Sequence, residues 1–348
     1  MLPFYLLLVV TVLLYAACGN SQQALRHSAD TTGGFSPRVA FYNVENLFDT
    51  VDDPFRADEA FTPAGRQKWD EDRYAKKLGQ LHRVIRGMDY PALLGLCEVE
   101  NQTVLEALAD SCQNPGGRYQ IVHFESLDHR GIDVALLYDP RVFTVTATDT
   151  IRTAFPPVNG ETYTSRDILH VSGRYGGQHS LHLFINHWPS RRGGLAASEP
   201  RRLRVAQRLR AAVDRVLQND PEGHLILMGD FNDEPTNKSV RETLVASAPT
   251  EAIEPQQLYK CTFPLDAQGL GTYNYRGNWN QLDQIIATGS CLQPQAKLQL
   301  GPAQNYRQEW MMFVHEKYGA TPSRTYGGPN YYGGFSDHLP VNAKFFNR

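Results

Sequence analysis

The sequence predicts an α/β protein built as a four-layer sandwich, two packed mixed β-sheets flanked by helices. Three observations carry that prediction. Short apolar runs with strand character recur too often along the chain for a single sheet. Amphipathic helical patterns lie between them, as they do where helices cover the outer faces of sheets. The composition is that of an ordinary globular protein, 41% hydrophobic and 20% charged, with 28 glycines and 21 prolines to supply turns. At 348 residues, with neither an internal repeat nor a change of composition, the chain is expected to form one large domain from residue 37 to 348.

The elements follow in order. "RVAFYNV" from Arg38, "PALLGLCEVE" from Pro91, "YQIVHF" from Tyr119 and "GIDVALLY" from Gly131 read as strands. "HSLHLFINH" from His179, "HLILMGDFN" from His224, "QLDQIIAT" from Gln281 and "PVNAKFF" from Pro340 read likewise. A helix is expected from Arg73, where Leu78, Leu81, Val84 and Ile85 share a face. A second is expected from Glu199, with Ser198 as its cap and Leu203, Ala206, Leu209, Val213, Val216 and Leu217 on its apolar stripe. The loops at 49–72 and 301–335 are long enough to suggest a functional role.

The N-terminus differs in kind. No charge occurs from Leu2 to Ala17, and the apolar run is shorter than a membrane span requires, so residues 1–17 read as a signal peptide. Ala16 and Ala17 stand before Cys18 as in a bacterial lipoprotein processing site, which makes Cys18 the expected lipidated residue. Plain secretion and an uncleaved anchor are the alternatives, and all three export the protein. The expected location is the cell envelope, periplasmic or attached to the outer membrane, with residues 18–36 as a polar tether. Export makes Cys97, Cys112, Cys261 and Cys291 disulfide candidates, with three pairings open.

Polar acids and amides recur at the ends of the apolar strands. Asn43 and Glu45 end one, Glu98 and Glu100 another, and Asp230 and Asn232 a third; Asp283 sits inside an apolar run, and "GGFSDHLP" adds Asp337 and His338. Any one of these motifs reads most simply as a turn or cap. Five in one domain, if the strands converge, make an oxygen-rich pocket suited to Mg2+ or Mn2+, with histidines free for proton transfer.

The ordered set "FYNVENLF", "GLCEVEN", "NHWPSR", "GDFND", "QLDQI" and "FSDHLP" resembles the endonuclease/exonuclease/phosphatase superfamily over about residues 38–346. That superfamily includes deoxyribonuclease I, AP endonucleases, sphingomyelinases and inositol polyphosphate 5-phosphatases. The resemblance implies a deoxyribonuclease I-like fold and a divalent-metal-dependent phosphodiester hydrolase, with an exported nuclease foremost. A phosphomonoesterase, a lipid-headgroup phosphodiesterase and a non-catalytic surface lipoprotein are the alternatives.

Residue by residue, the resemblance places Glu98, Asp337, Asn43 and Glu45 at the metal, which would be Mg2+, with Mn2+ or Ca2+ as alternatives. Asp230 and Asn232 would orient or deprotonate the attacking water, His187 would aid the leaving group, and His338, paired with Asp283, would contact the phosphate or act as base. Asp167 would orient His187, in which case Arg166 points away from the pocket.

The formal net charge of −3 gives no general attraction for a polyanion, so a nucleic acid substrate would be held locally. Glu100 stands where many nucleic-acid-cutting relatives carry a basic residue. Arg191 and Arg192 are the candidates for phosphate contact, whereas Arg201, Arg202, Arg204, Arg208 and Arg210 read as the solvated face of a helix. Tyr326, Tyr331 and Tyr332 lie in a glycine-rich loop, where packing and base stacking compete as explanations. Besides nucleic acid and the membrane reached through Cys18, no partner is implied, and a monomer is expected.

Overall fold

The first sheet begins with β1 (Arg38–Leu47), which pairs in parallel, after the crossover helix α1 (Glu71–Gly87), with β2 (Leu93–Val99). After α2 (Gln102–Ser111) come β3 (Gln120–His123) and β4 (Asp133–Tyr138). This computed structural model describes residues 37–112, 117–153, 155, 164–249 and 252–347. The expected signal peptide, tether and Cys18 lie outside the described residues.

The second sheet takes β5 (Phe143–Ile151), β6 (Ile168–Tyr175) and β7 (His179–His187). Past α3 (Leu195–Asn219) it takes β8 (His224–Asp230), β9 (Ala246–Ser247) and β10 (Leu258–Lys260). A hairpin of β11 (Tyr273–Tyr275) and β12 (Asn278–Asn280) precedes β13 (Asp283–Thr288), which completes the sheet. The chain returns to the first sheet with β14 (Leu298–Leu300) and β15 (Gln304–Asn305). It then makes two small hairpins, β16 (Met312–His315) with β17 (Gly319–Pro322) and β18 (Tyr326–Gly327) with β19 (Asn330–Tyr331), and closes with β20 (Val341–Asn347).

Strand order is β14-β20-β1-β2-β4-β3 in the first sheet, with β15 beside β20, and β5-β6-β7-β8-β13-β10-β9 in the second. Both sheets are mixed, and residue alternation explains their packing. In β1, Val39 and Phe41 enter the inter-sheet core with Ile226 and Met228 of β8. Ala40 and Tyr42 face the other way, onto Leu81, Val84 and Ile85 of α1 and Leu105 and Leu108 of α2. Leu225 and Leu227 of β8 face Leu209 and Val213 of α3. Helices therefore cover both outer faces, giving the four layers that the alternation of strands and helices predicts.

Three local expectations are corrected. α3 begins one turn before Glu199 and runs through Pro200. Ser198 is therefore inside the helix, not its cap, and its hydroxyl donates to the Gly194 carbonyl at 2.7 Å. Arg202 belongs to no solvated face: it is fully buried and ion-paired with Asp233 at 2.8 Å. The four cysteines are free, buried thiols. Cys97 lies in the inter-sheet core while Cys112 lies beneath the helices, so the sheet itself separates that pair.

Candidate active site

Following the inward-facing residues of each central strand to its end leads out of the hydrophobic core and into a cleft. β1 runs Val39, Phe41, then Asn43; β7 runs Leu183, Ile185, then His187; β8 runs Ile226, Met228, then Asp230; β13 runs Ala287, Ile285, then Asp283. The register ties three of these into one row, because His187 pairs with Asp230 across β7 and β8, and Asp230 with Asp283 across β8 and β13. Registered partners project to the same face, so the site is the polar end of the inter-sheet core.

Glu98 reaches the same place by a different device. Simple alternation after Leu93 and Cys97 would turn residue 98 toward the helices. The register of β2 slips at this point against both neighbours, between Cys97 and Val99 toward β4 and opposite Asn43 to Leu47 of β1, and Glu98 takes φ +62°. A β-bulge at a strand end re-aims one side chain. Here it swings the carboxylate into the cleft, where the amide of Asn46 donates to Oε2 at 3.1 Å.

The cleft, about 650 Å3, is lined by Glu98, Asp230, Asn232, His187, Asp337 and His338. The Asn43 amide donates to Asp230 Oδ2 at 3.1 Å and to Glu98 Oε1 at 3.5 Å. His187 Nε2 stands 3.8 Å from Glu98 Oε1 and 3.7 Å from Asp230 Oδ2. His338 Nδ1 meets Asp283 Oδ2 at 2.6 Å, which leaves Nε2 facing Asp230 at 4.0 Å.

The pKa values of the two imidazoles are driven in opposite directions. Burial holds His187 well below the ordinary histidine pKa, and the Arg166 and Arg130 guanidiniums push it further down. Burial also disfavours the charged form of His338, but Asp283 and then Asp230 outweigh it, so its pKa sits well above the ordinary histidine value. Asp230 is pushed up to about 6, by burial first and against the pull of His338.

The donor set suits a hard cation. Glu98 and Asp337 offer carboxylate oxygens to the cleft, and the bulge that aims Glu98 there serves no packing purpose. Donor atoms of Asp230, Asp283 and His338 also lie within 4.8 Å of one another. Asp283 and His338 spend theirs on each other, and Asp337 is paired with Arg324 at 3.5 Å, so Glu98 with Asp230 beside it, and Asp337 once released from Arg324, are the groups that could hold a divalent ion.

Four expected roles do not match the geometry. Asp167 accepts from the Thr153 amide at 3.3 Å and lines a small hollow with Asp133 and Ser126, and His187 Nδ1 is buried without a partner. The side facing the cleft is that of Arg166, which donates to the Trp188 carbonyl at 2.7 Å and pairs with Asp128 at 3.2 Å. The two adjacent residues are thus exchanged relative to expectation. Glu45 turns away from the cleft at φ +50° and accepts from the amides of Thr325 and Tyr326. Burial first and Asp337 next raise its pKa to about 7, and the buried Lys77 opposes that rise. Asn43 presents its amide nitrogen to the carboxylates while its oxygen accepts from the Glu45 amide, so it positions the site instead of ligating.

Glu100 does not line the cleft either. The bulge separates it from Glu98, and it accepts from the Asp49 amide at 2.7 Å. Both candidate phosphate arginines line the cleft, Arg191 with its guanidinium bonded to the Asn232 carbonyl and the Asn280 and Asn237 side chains. Tyr326 is core, donating to the Gln67 carbonyl and packed against Trp69. Sequence reasoning missed Arg130, Arg166 and Tyr273. The first two are isolated basic residues, and Tyr273, whose ring packs 4.9 Å from that of His338, belongs to a three-residue strand with no pattern of its own.

A model of the endonuclease/exonuclease/phosphatase family matches residues 38–346. No curated protein matches the chain. Among solved structures it is similar to a truncated TDP2 of Caenorhabditis elegans, with TM-score 0.53 at 17% identity over 90% of this chain and 98% of that one. It is similar to a mannosyl-6-phosphatase of Bacteroides thetaiotaomicron, with TM-score 0.55 at 16% identity over 89% and 100%. The human Nocturnin catalytic domain gives TM-score 0.51 at 17% identity over 89% and 94%. At these identities the structures establish the fold, and the match of the family model over nearly the whole described chain establishes descent: the protein belongs to the endonuclease/exonuclease/phosphatase family, whose members are in general divalent-metal-dependent phosphoester hydrolases.

Proposed function

We propose that this protein is a divalent-metal-dependent phosphodiester hydrolase acting on nucleic acid. The observation that carries the reading is one cleft holding the carboxyl groups of Glu98 and Asp337, the imidazole of His338 held by Asp283 at 2.6 Å, and the guanidiniums of Arg130, Arg166, Arg191 and Arg192. A phosphodiester is an anion that repels a nucleophilic water, so its hydrolysis needs charge neutralisation, an aligned water and help for the departing oxygen.

Glu98 and Asp337 would hold Mg2+ or Mn2+, which would supply Lewis-acid charge neutralisation. The protein's own residues do the rest. Protonated His338, held by Asp283, donates to a non-bridging oxygen. Asp230, whose pKa of about 6 lies near neutrality, accepts a proton from the attacking water, and Asn232 beside it fixes the water's approach. Neutral His187 donates a hydrogen bond through Nε2 to the leaving oxygen, which takes its proton from solvent water in the open cleft, and so adds no second cation beside His338.

The test is hydrolysis of plasmid DNA, RNA, bis(p-nitrophenyl) phosphate, mannose 6-phosphate and inositol phosphates with Mg2+ or with EDTA. Phosphodiester cleavage should vanish in EDTA, and Glu98→Ala and Asp230→Ala should each lower kcat by roughly 100- to 1,000-fold, the loss typical of one electrostatic group. Activity indifferent to EDTA and to both substitutions would sink the reading. Turnover of the monoesters alone would replace it with a phosphatase.

A further inference from the structure

A second chamber opens beside the catalytic cleft and shares the walls formed by Tyr273 and Tyr275 with it. It measures about 800 Å3 and is closed by the β11–β12 hairpin, the β16–β17 hairpin and the loop around Tyr331. Tyr275, Phe313 and Tyr332 line it while each is more than half exposed to solvent. Three large rings left wet around one cavity are costly in a monomer unless a ligand covers them.

Two cations border the rings. Arg276 lies 5.2 Å above the ring of Tyr275, and Arg324 stands between the chamber and Asp337. No aspartate or glutamate lines the chamber, and its single amide side chain is Asn274. Sugars and other polyols are commonly gripped by carboxylates through their hydroxyls, and this lining has none. A flat aromatic group carried on an anionic backbone fits both the rings and the arginines.

We propose that this chamber binds an unpaired nucleobase of the substrate strand next to the scissile phosphate, and that the substrate is therefore single-stranded. The inference rests on the nucleic-acid reading of the cleft. A base stacked on the rings that line the chamber is unavailable for pairing, so duplex must open before it can fill the chamber. Tyr273 links the two compartments, with one side packed on His338 and the other forming chamber wall, so that a seated base fixes the phosphate beside His338.

The experiment uses the full-length protein in EDTA, so that binding is read without turnover. A fluorescent single-stranded oligothymidylate should bind at least ~10-fold more tightly than an abasic strand of the same length, and each of Phe313→Ala and Tyr332→Ala should remove about that factor. Abasic binding, and cleavage of the abasic strand in Mg2+, should stay unchanged in both variants, which rules out misfolding. Equal binding of the two strands by the wild type, or an equal weakening of both by the variants, overturns the proposal. Displacement of the oligonucleotide by mannose 6-phosphate but not by thymidine 5′-phosphate overturns it in favour of a sugar site. Base-dependent binding without any nucleic-acid cleavage leaves the chamber standing and removes the nuclease reading instead.

Discussion

His338 owes its charge to a residue 55 positions earlier in the chain. Asp283 is fully buried, and its 2.6 Å bond to Nδ1 fixes the ring and keeps it protonated against the cost of burial. Replacing Asp283 with Asn keeps the shape and removes the charge. By analogy with other carboxylate-held histidines, kcat on a phosphodiester should fall by roughly 100- to 10,000-fold, with KM and melting temperature little changed. A fall of less than threefold would show that His338 does not depend on this partner. The pairing was readable as a resemblance, because Asp283 is a lone carboxylate in an apolar run. The exchange of Arg166 for Asp167 was not, since neighbouring residues on extended backbone have opposite directions and nothing local says which of them faces inward.

At the scale of elements, the segment that carries Asp337 and His338 is pinned from beneath by a buried lysine and a buried glutamate, whose charges act on each other without a direct salt bridge. Lys77 of α1 donates to the Thr325 hydroxyl and the Phe335 carbonyl at 2.7 Å each, while Glu45 of β1 accepts from the Thr325 and Tyr326 amides. Lys77→Met removes two buried hydrogen bonds and the positive charge that acts on Glu45, and should destabilise the fold by about 1–3 kcal/mol, measured by urea denaturation. The double variant Lys77→Met, Glu45→Gln should recover part of that loss, and equal destabilisation by single and double variants would refute the coupling. The apolar spacing of Leu78, Leu81, Val84 and Ile85 made α1 legible, and the actual cap, Asp70, accepts from the Arg73 amide. α2 went unread because ten residues give too few turns for a period to stand out. α3 starts before Pro200 although that residue has no amide to donate to the Ala196 carbonyl; Ser198 and Arg202 bond back to the Gly194 and Leu195 carbonyls within the same first turns.

For the molecule as a whole, stability has its own titrating pair, away from the cleft. His170 of β6 stacks on Phe184 at 4.3 Å and meets His182 at 3.1 Å, with Asp149 and Asp220 facing the two rings. Burial first and His182 next lower the pKa of His170 to about 4. The folded state thus binds its proton less readily than the unfolded chain, so the stability is fully present above about pH 6.5 and lost as pH falls toward 4. His170→Phe should flatten that acid limb by on the order of 2 kcal/mol, discounted for partial exposure, and an unchanged limb in urea titrations would reject the assignment. Sequence alone determined the layering and the candidate residues, because alternation and helical periodicity record which faces are buried, and strand ends record where polarity interrupts them. Tertiary structure alone decided which of those residues meet. The register aligned His187, Asp230 and Asp283, a single bulge sent Glu98 inward and Glu100 to the Asp49 amide, and the packing of hairpins distant in sequence placed the aromatic chamber beside the cleft. Such meetings depend on long-range pairing, which no local pattern of residues encodes.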